Sequence, residues 1–128
     1  MDQYSEKTRE ACARAAHEAN RAYSLASGDD SIAAWEDAPD WQKTSILNGV
    51  NGVLGGNSPR QSHESWLREK ESTGWKYGPV KNPAVKEHPC FKPYDLLPED
   101  QKVKDEIFVS VVKALAKALS WQDLNTEG

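Results

Sequence analysis

Apolar and polar positions along the chain alternate with helical spacing in four stretches, separated by segments without that rhythm. Cys12, Ala15, Ala16, Ala19, Tyr23 and Ala26 recur at intervals of three and four, which predicts one face of a helix from about Ser5 to Ala26. That face is almost all alanine, so neighbouring helices can approach it closely. Gly28 supplies a left-handed stop. Residues 29 to 40 are acidic, carry Trp35 and Pro39, and read as a loop packed by one aromatic anchor. Ile46, Leu47, Val50, Val53 and Leu54 share one side of a second helix over Trp41 to Leu54. Gly49 and Gly52 weigh against it, each by about 1 kcal/mol relative to alanine. The cluster Gly55-Gly56-Asn57 ends it.

The third helix has the clearest start. Ser58 is an N-cap, Pro59 takes the first helical position, and Gln61 falls where a capping box requires it. It runs to Thr73 and Gly74 closes it. Ile107, Phe108, Val111, Val112, Leu115 and Leu119 predict a strongly amphipathic last helix, opened by Pro98 and followed by Trp121. Residues 122 to 128 are expected to fray. Between these helices lies GWKYGPVKNPAVKEHPCFKPYDLLP, with five prolines and no helical rhythm beyond a turn at Asp95 to Leu97. So long a connection without regular structure is uncommon in a compact domain and is often functional. Its prolines make it a stiff, wrapped loop suited to a preformed pocket. The fold expected is mainly α: a single domain over residues 1 to 128, with its core at about 5 to 121 and this loop folded over the third and last helices.

One internal echo accompanies the pattern. AAHEANRAYSLASG and QSHESWLREKESTG pair His17 with His63 and Gly28 with Gly74. Chance similarity of two helices gives such matches more often than duplication does. A real duplication would pack the two helices as a pseudo-symmetric pair.

Composition and charge narrow the possibilities. Five Trp, four Tyr and two Phe compensate for a modest aliphatic content, so 128 residues can bury a working core. A net charge of -4 argues against a long nucleic acid as partner. The first 58 residues hold nine acids against five bases, whereas Lys76, Lys81, Lys86 and Lys92 face the single acid Glu87 between Trp75 and Tyr94. A local basic patch on an acidic chain suits a small anion better than a polyanion. No apolar run would span a bilayer and no signal-peptide pattern opens the chain, so Cys12 and Cys90 read as free thiols in a cytoplasmic protein without a membrane partner.

Candidate chemistry is that of binding. A nucleotide needs flat apolar surface for its base and cations or amides for phosphate. Trp66, Trp75, Tyr77 and Tyr94 offer the first; Arg68, Lys81, Lys86 and His88 offer the second. Trp75 and Tyr94 read equally as core anchors, and Trp41 and Trp121 read as core or packing residues. His63 and His17 either meet a ligand or bond a loop carbonyl. The loop lysines are singly most often solvated and gain meaning only by clustering with aromatics. Three His and two Cys form no zinc spacing, His-Glu-Ser-Trp is not the His-Glu-x-x-His zinc helix, and the GGNSP run lacks the Lys of a phosphate loop. Ser58 is explained as a cap. No metal, cofactor or catalytic set is therefore expected, although His17 or His63 could serve a hydrolase as general base.

Over residues 63 to 97 the sequence resembles the repeat of the ryanodine receptor, the RyR domain. His63, Glu64 and Trp66 supply its His-Glu-x-Trp element. Gly74, Trp75, Tyr77, Gly78, Lys86, His88, Pro89, Pro93, Tyr94 and Leu97 then match in order. The first helix, with His17, Asn20 and Tyr23, resembles the start of single-copy versions from bacteria and their viruses. The resemblance implies an accessory cytosolic module without catalytic activity, in a family associated with adenine-nucleotide binding by paired repeats. A pocket would then be completed within one copy or by a homodimer. The resulting expectation is non-enzymatic binding of a nucleotide, a cyclic nucleotide or a nucleotide-derived signal, by sensing or sequestration. Its site residues would be His17, Asn20, His63, Trp66, Trp75, Tyr77, Lys81, Lys86, His88 and Tyr94. The alternative is a protein-interaction or channel-regulatory module with no small-molecule ligand.

Overall fold

A computed structural model describes residues 4 to 126, with side chains described as far as residue 120. Four helices carry the fold: α1 (Glu6–Ala26), α2 (Asp40–Leu54), α3 (Pro59–Ser72) and α4 (Glu99–Thr126). The connection between α1 and α2 holds one turn of 3-10 helix at Trp35–Asp37, and that between α3 and α4 holds another at Tyr94–Leu96. The long loop is not wholly irregular. Two two-residue strands, β1 (Lys76–Tyr77) and β2 (Glu87–His88), pair in parallel within it. Local pairing satisfies backbone groups that side-chain rhythm gives no hint of.

The helix ends follow their sequence signals. Ser5 caps α1 by accepting the Thr8 N–H, and the Ser58–Gln61 capping box opens α3 with both of its hydrogen bonds. Gly28 and Gly74 each take φ +91°, the left-handed conformation in which glycine avoids a side-chain clash. The last helix is described as far as Thr126. The side chain of Trp121 lies outside the described residues.

The core joins Cys12, Ala13 and Ala16 of α1 to Val50 and Val53 of α2 and Val109, Val112 and Ala116 of α4, with Trp35 closing one end. Small residues on α1 let α4 lie close along it, and this is the most extensive helix pair. The buried stripe of α1 is rotated from the alanine face, however. Thr8, His17 and Ser24 are buried while Ala26 is exposed; the Thr8 hydroxyl meets Ser5 and His17 bonds the Ala33 carbonyl, contacts that hydropathy does not register. The glycines of α2 are likewise packing residues. A Cβ at Gly49 would stand 3.0 Å from the Phe108 ring, and one at Gly52 would stand 2.6 Å from Asn57 Nδ2.

The internal echo is structural. In the first hairpin His17 Nε2 lies 2.7 Å from Ala33 O; in the second His63 Nε2 lies 2.7 Å from Lys92 O. Two residues beyond each carbonyl stands an aromatic ring against its histidine, Trp35 and Tyr94. Arg14 pairs with Glu36 as Arg60 pairs with Asp95. Lys43 lies over the Trp35 ring as Lys102 lies over the Tyr94 ring. So many matched partners at matched positions exceed what two unrelated helices would share. The chain is two helical hairpins, α1–α2 and α3–α4, built on one plan.

Candidate ligand-binding site

Between the two hairpins lies a cavity of about 800 Å³, a size typical of small-molecule sites. Corresponding positions of the two halves wall it: His17 and His63, Gln42 and Gln101, Ser45 and Lys104, Ile46 and Asp105. The histidine and glutamine pairs are alike, whereas Ser45/Lys104 and Ile46/Asp105 differ in chemistry. The lining includes an aromatic group, Trp41 of α2, Trp66 of α3 and Trp75 of the loop, and a polar group, Asn20 of α1 with Lys104 and Asp105 of α4. The histidine and its carbonyl are 16 residues apart in the first hairpin and 29 in the second. The additional length holds the strand pair and brings Trp75, Val80, Lys81 and His88 to the cavity.

The aromatic wall is continuous. Trp41 and Trp75 lie 5.9 Å apart, Trp75 and His88 6.3 Å, and His88 and Trp66 5.0 Å. Lys70 is 7% exposed, with its ammonium 5.0 Å from the Trp41 ring and 5.5 Å from that of Trp75. Cation–π attraction holds it there. Lys70, Lys81 and Lys104 form no ion pair among the described residues. Loss of hydration lowers the pKa of Lys70 and of Lys81. Lys81 nevertheless has an accessible surface, since an open cavity admits water while protein surrounds it on most sides.

The three histidines have distinct assignments. A carbonyl only accepts, so His17 and His63 each donate Nε2–H to their loop carbonyl. Burial lowers the pKa of His63. His88 Nδ1 accepts the Cys90 N–H at 3.0 Å, which leaves the proton on Nε2. Burial first, then Lys81 and Lys70, pushes His88 down to about 4, so the ring is a neutral donor at pH 7. Burial alone pushes the Asp105 carboxyl up to about 7. Three buried polar atoms of cavity residues lack a partner among the described residues: Asn20 Oδ1, Ser62 Oγ and Asp105 Oδ2. All three atoms are fully buried, so a ligand in the cavity would reach them only after side-chain movement.

His17, Asn20, His63, Trp66, Trp75, Lys81 and His88 therefore meet at one cavity, as a site made of them requires. Three expected residues stand apart. Tyr77 is 54% exposed on β1. Lys86 donates from Nζ to Thr73 O at 2.7 Å and is spent bracing the α3 end, at φ 56°. Tyr94 packs on His63 and between Arg60 and Lys102, in the position Trp35 holds in the other half. Arg68 donates to Ser65 and does not line the cavity. Trp41, expected in the core, is 44% exposed on the cavity wall. Sequence reasoning misses Lys70, Lys104 and Asp105, because single charges on helices are usually solvated. The available signal is spacing: Lys70 falls one turn after Trp66, and Asp105 one turn before Phe108, on faces already marked as buried.

No cluster of three metal-ligating side chains occurs among the described residues, and Cys12 and Cys90 are free thiols there. Burial and Asp105 raise the Cys90 pKa, which keeps the thiol protonated and weakly nucleophilic. No described helix is long and apolar enough to cross a membrane. Among known protein families, the one described as the RyR domain matches residues 55–122. That span takes in the second hairpin, including its loop and strand pair.

Proposed function

The chain belongs to the RyR domain family, and from that premise we propose that its two hairpins together bind a nucleotide or nucleotide-derived signalling molecule without transforming it. The observation that carries this reading is Lys70, a buried cation held by two indole rings at the cavity wall with no carboxylate paired to it. An uncompensated buried ammonium favours an anion, and Lys81 and Lys104 add to the field. The neighbouring indoles give a planar ring a stacking surface. A phosphate-bearing aromatic ligand meets both demands. The cavity is walled by one chain, so this reading needs no second copy. A domain of this kind would sense its ligand or sequester it in the cytoplasm.

Turnover is not part of the proposal. The Nε2–H groups of His17 and His63 are committed to carbonyls, and neither histidine is hydrogen-bonded to a nucleophile among the described residues. Bound ligand should be recovered unchanged after the complex is denatured.

The test is a melting-temperature screen of the purified chain against nucleosides, nucleotides and cyclic nucleotides. A ligand at about 100 times its Kd should add roughly 2.7 kcal/mol of stability. Lys70→Met should weaken binding of the phosphorylated form at least about tenfold while leaving the nucleoside nearly unaffected. Trp75→Ala should cost about 1 to 3 kcal/mol of binding, as loss of a stacked base does. Equal binding of nucleoside and nucleotide would remove the phosphate from Lys70, and silence across the whole panel would remove the proposal.

A further inference from the structure

We infer that Trp41 is the platform on which the ring of the ligand stacks. This rests on the nucleotide reading above and names the residue that holds the ring, one that sequence reasoning assigns to the core.

Three indoles line the cavity, and their surroundings differ. Trp66 has the His63 ring stacked on it at 5.7 Å and 22°, with His88 at 5.0 Å and Phe91 at 6.1 Å. Trp75 is 9% exposed, among Trp41, His88 and the Lys70 ammonium. Both rings are largely spent on packing within the protein. Trp41 is 44% exposed, and its ring meets Trp75 at 5.9 Å and the Lys70 ammonium at 5.0 Å. Trp75 thus supports Trp41, so losing Trp75 weakens binding by releasing the platform and lowers stability as well.

An indole left so far in water forfeits burial that a polar side chain would not need. The two-hairpin plan does not demand it. Asp40 and Trp41 open α2 as Glu99 and Asp100 open α4, in the register that aligns Gln42 with Gln101 and Lys43 with Lys102. The second hairpin therefore fills the position of Trp41 with Asp100, an acid in the first turn, where a carboxylate favours the helix dipole. Trp41 gives up that gain and stands in the cavity lining beside a buried cation. A planar ring laid on it would take the exposed indole surface out of water and add stacking attraction.

Trp41→Leu keeps an apolar side chain and removes the π face. It should be compared with the parent chain by calorimetric titration of the ribonucleoside 5′-monophosphates and their 3′,5′-cyclic forms. Those that bind the parent should bind the variant at least about tenfold more weakly, as loss of one stacked base predicts. The salt dependence of their affinity should keep its slope, because Lys70 still meets the phosphate. The melting temperature of the unliganded variant should stay close to that of the parent, whereas Trp75→Ala, which empties a buried site, should lower it. Trp41→Phe retains a stacking face and should bind within about threefold of the parent. Unchanged affinity in Trp41→Leu, a flattened salt slope, or a fall in melting temperature as large as that of Trp75→Ala would overturn the assignment. Nucleotide binding that is insensitive to Trp41 refutes only this inference, whereas silence of every nucleotide with the parent chain refutes the proposed function and this inference with it.

Discussion

Asp105 and His88 face the same cavity with protonation states displaced in opposite directions, and this has a measurable effect on stability. The Asp105 carboxyl moves from 3.8 up to about 7 on folding, so over that range the folded chain holds the extra proton and stability falls as pH rises. The His88 imidazole moves from 6.5 down to about 4, so over that range the unfolded chain holds the extra proton and stability rises with pH. The two slopes nearly cancel between about pH 4 and 6.5. Asp105→Asn should therefore uncover a gain of roughly 2 to 3 kcal/mol across that window in denaturant titrations. At pH 8 the same variant should be more stable than the parent, because a buried unpaired carboxylate is gone. A variant whose profile stays level would place the proton elsewhere. At this scale the sequence is informative about ring-bearing residues and poor about charges. His88 and Lys81 stand out by clustering with aromatics, whereas Lys70 and Asp105 have the same letters as any solvated helix position.

Among the elements, the caps and the four helices are legible because each has a local cause: a side-chain cap, a proline, a glycine at positive φ. The strand pair is not, since two residues carry no periodicity. Gly78, next to β1, and Gly28, at the α1 end, can be separated by experiment. A Cβ at Gly78 would stand 2.5 Å from the Glu87 Cβ, so Gly78→Ala must push β1 from β2. Overpacking of that kind costs about 1 to 3 kcal/mol, and it should also weaken ligand binding because His88 follows Glu87 on the displaced strand. Gly28 has the positive φ but open space around it, with nothing within 4 Å of where a Cβ would stand. Gly28→Ala should cost about 1 to 2 kcal/mol of stability for its conformation and leave affinity unchanged. Calorimetric melting and titration of both variants would check the contrast. An affinity loss at Gly28 would mean that the α1 end takes part in the site. The opposite lesson comes from Gly49, whose apparent weakness as a helix residue is a place for the Phe108 ring.

For the whole molecule, the His-Glu echo is the visible part of a two-hairpin plan whose other matched positions carry different residues. Trp35 answers Tyr94 and Ala33 answers Lys92 only through shared partners, which no single position reveals. The two hairpins are joined by the short segment from Gly55 to Ser58, and the cavity is formed between them rather than inside either. That arrangement permits domain swapping. A second hairpin prevented from folding back onto its own chain can occupy the same place on another. Deleting Gly55 and Gly56 should convert the protein to an intertwined dimer in light scattering. Each of its two binding sites would combine the first hairpin of one molecule with the second of the other. Ligand stoichiometry should then remain one per chain, and affinity should remain close to that of the parent, because the local walls are unchanged.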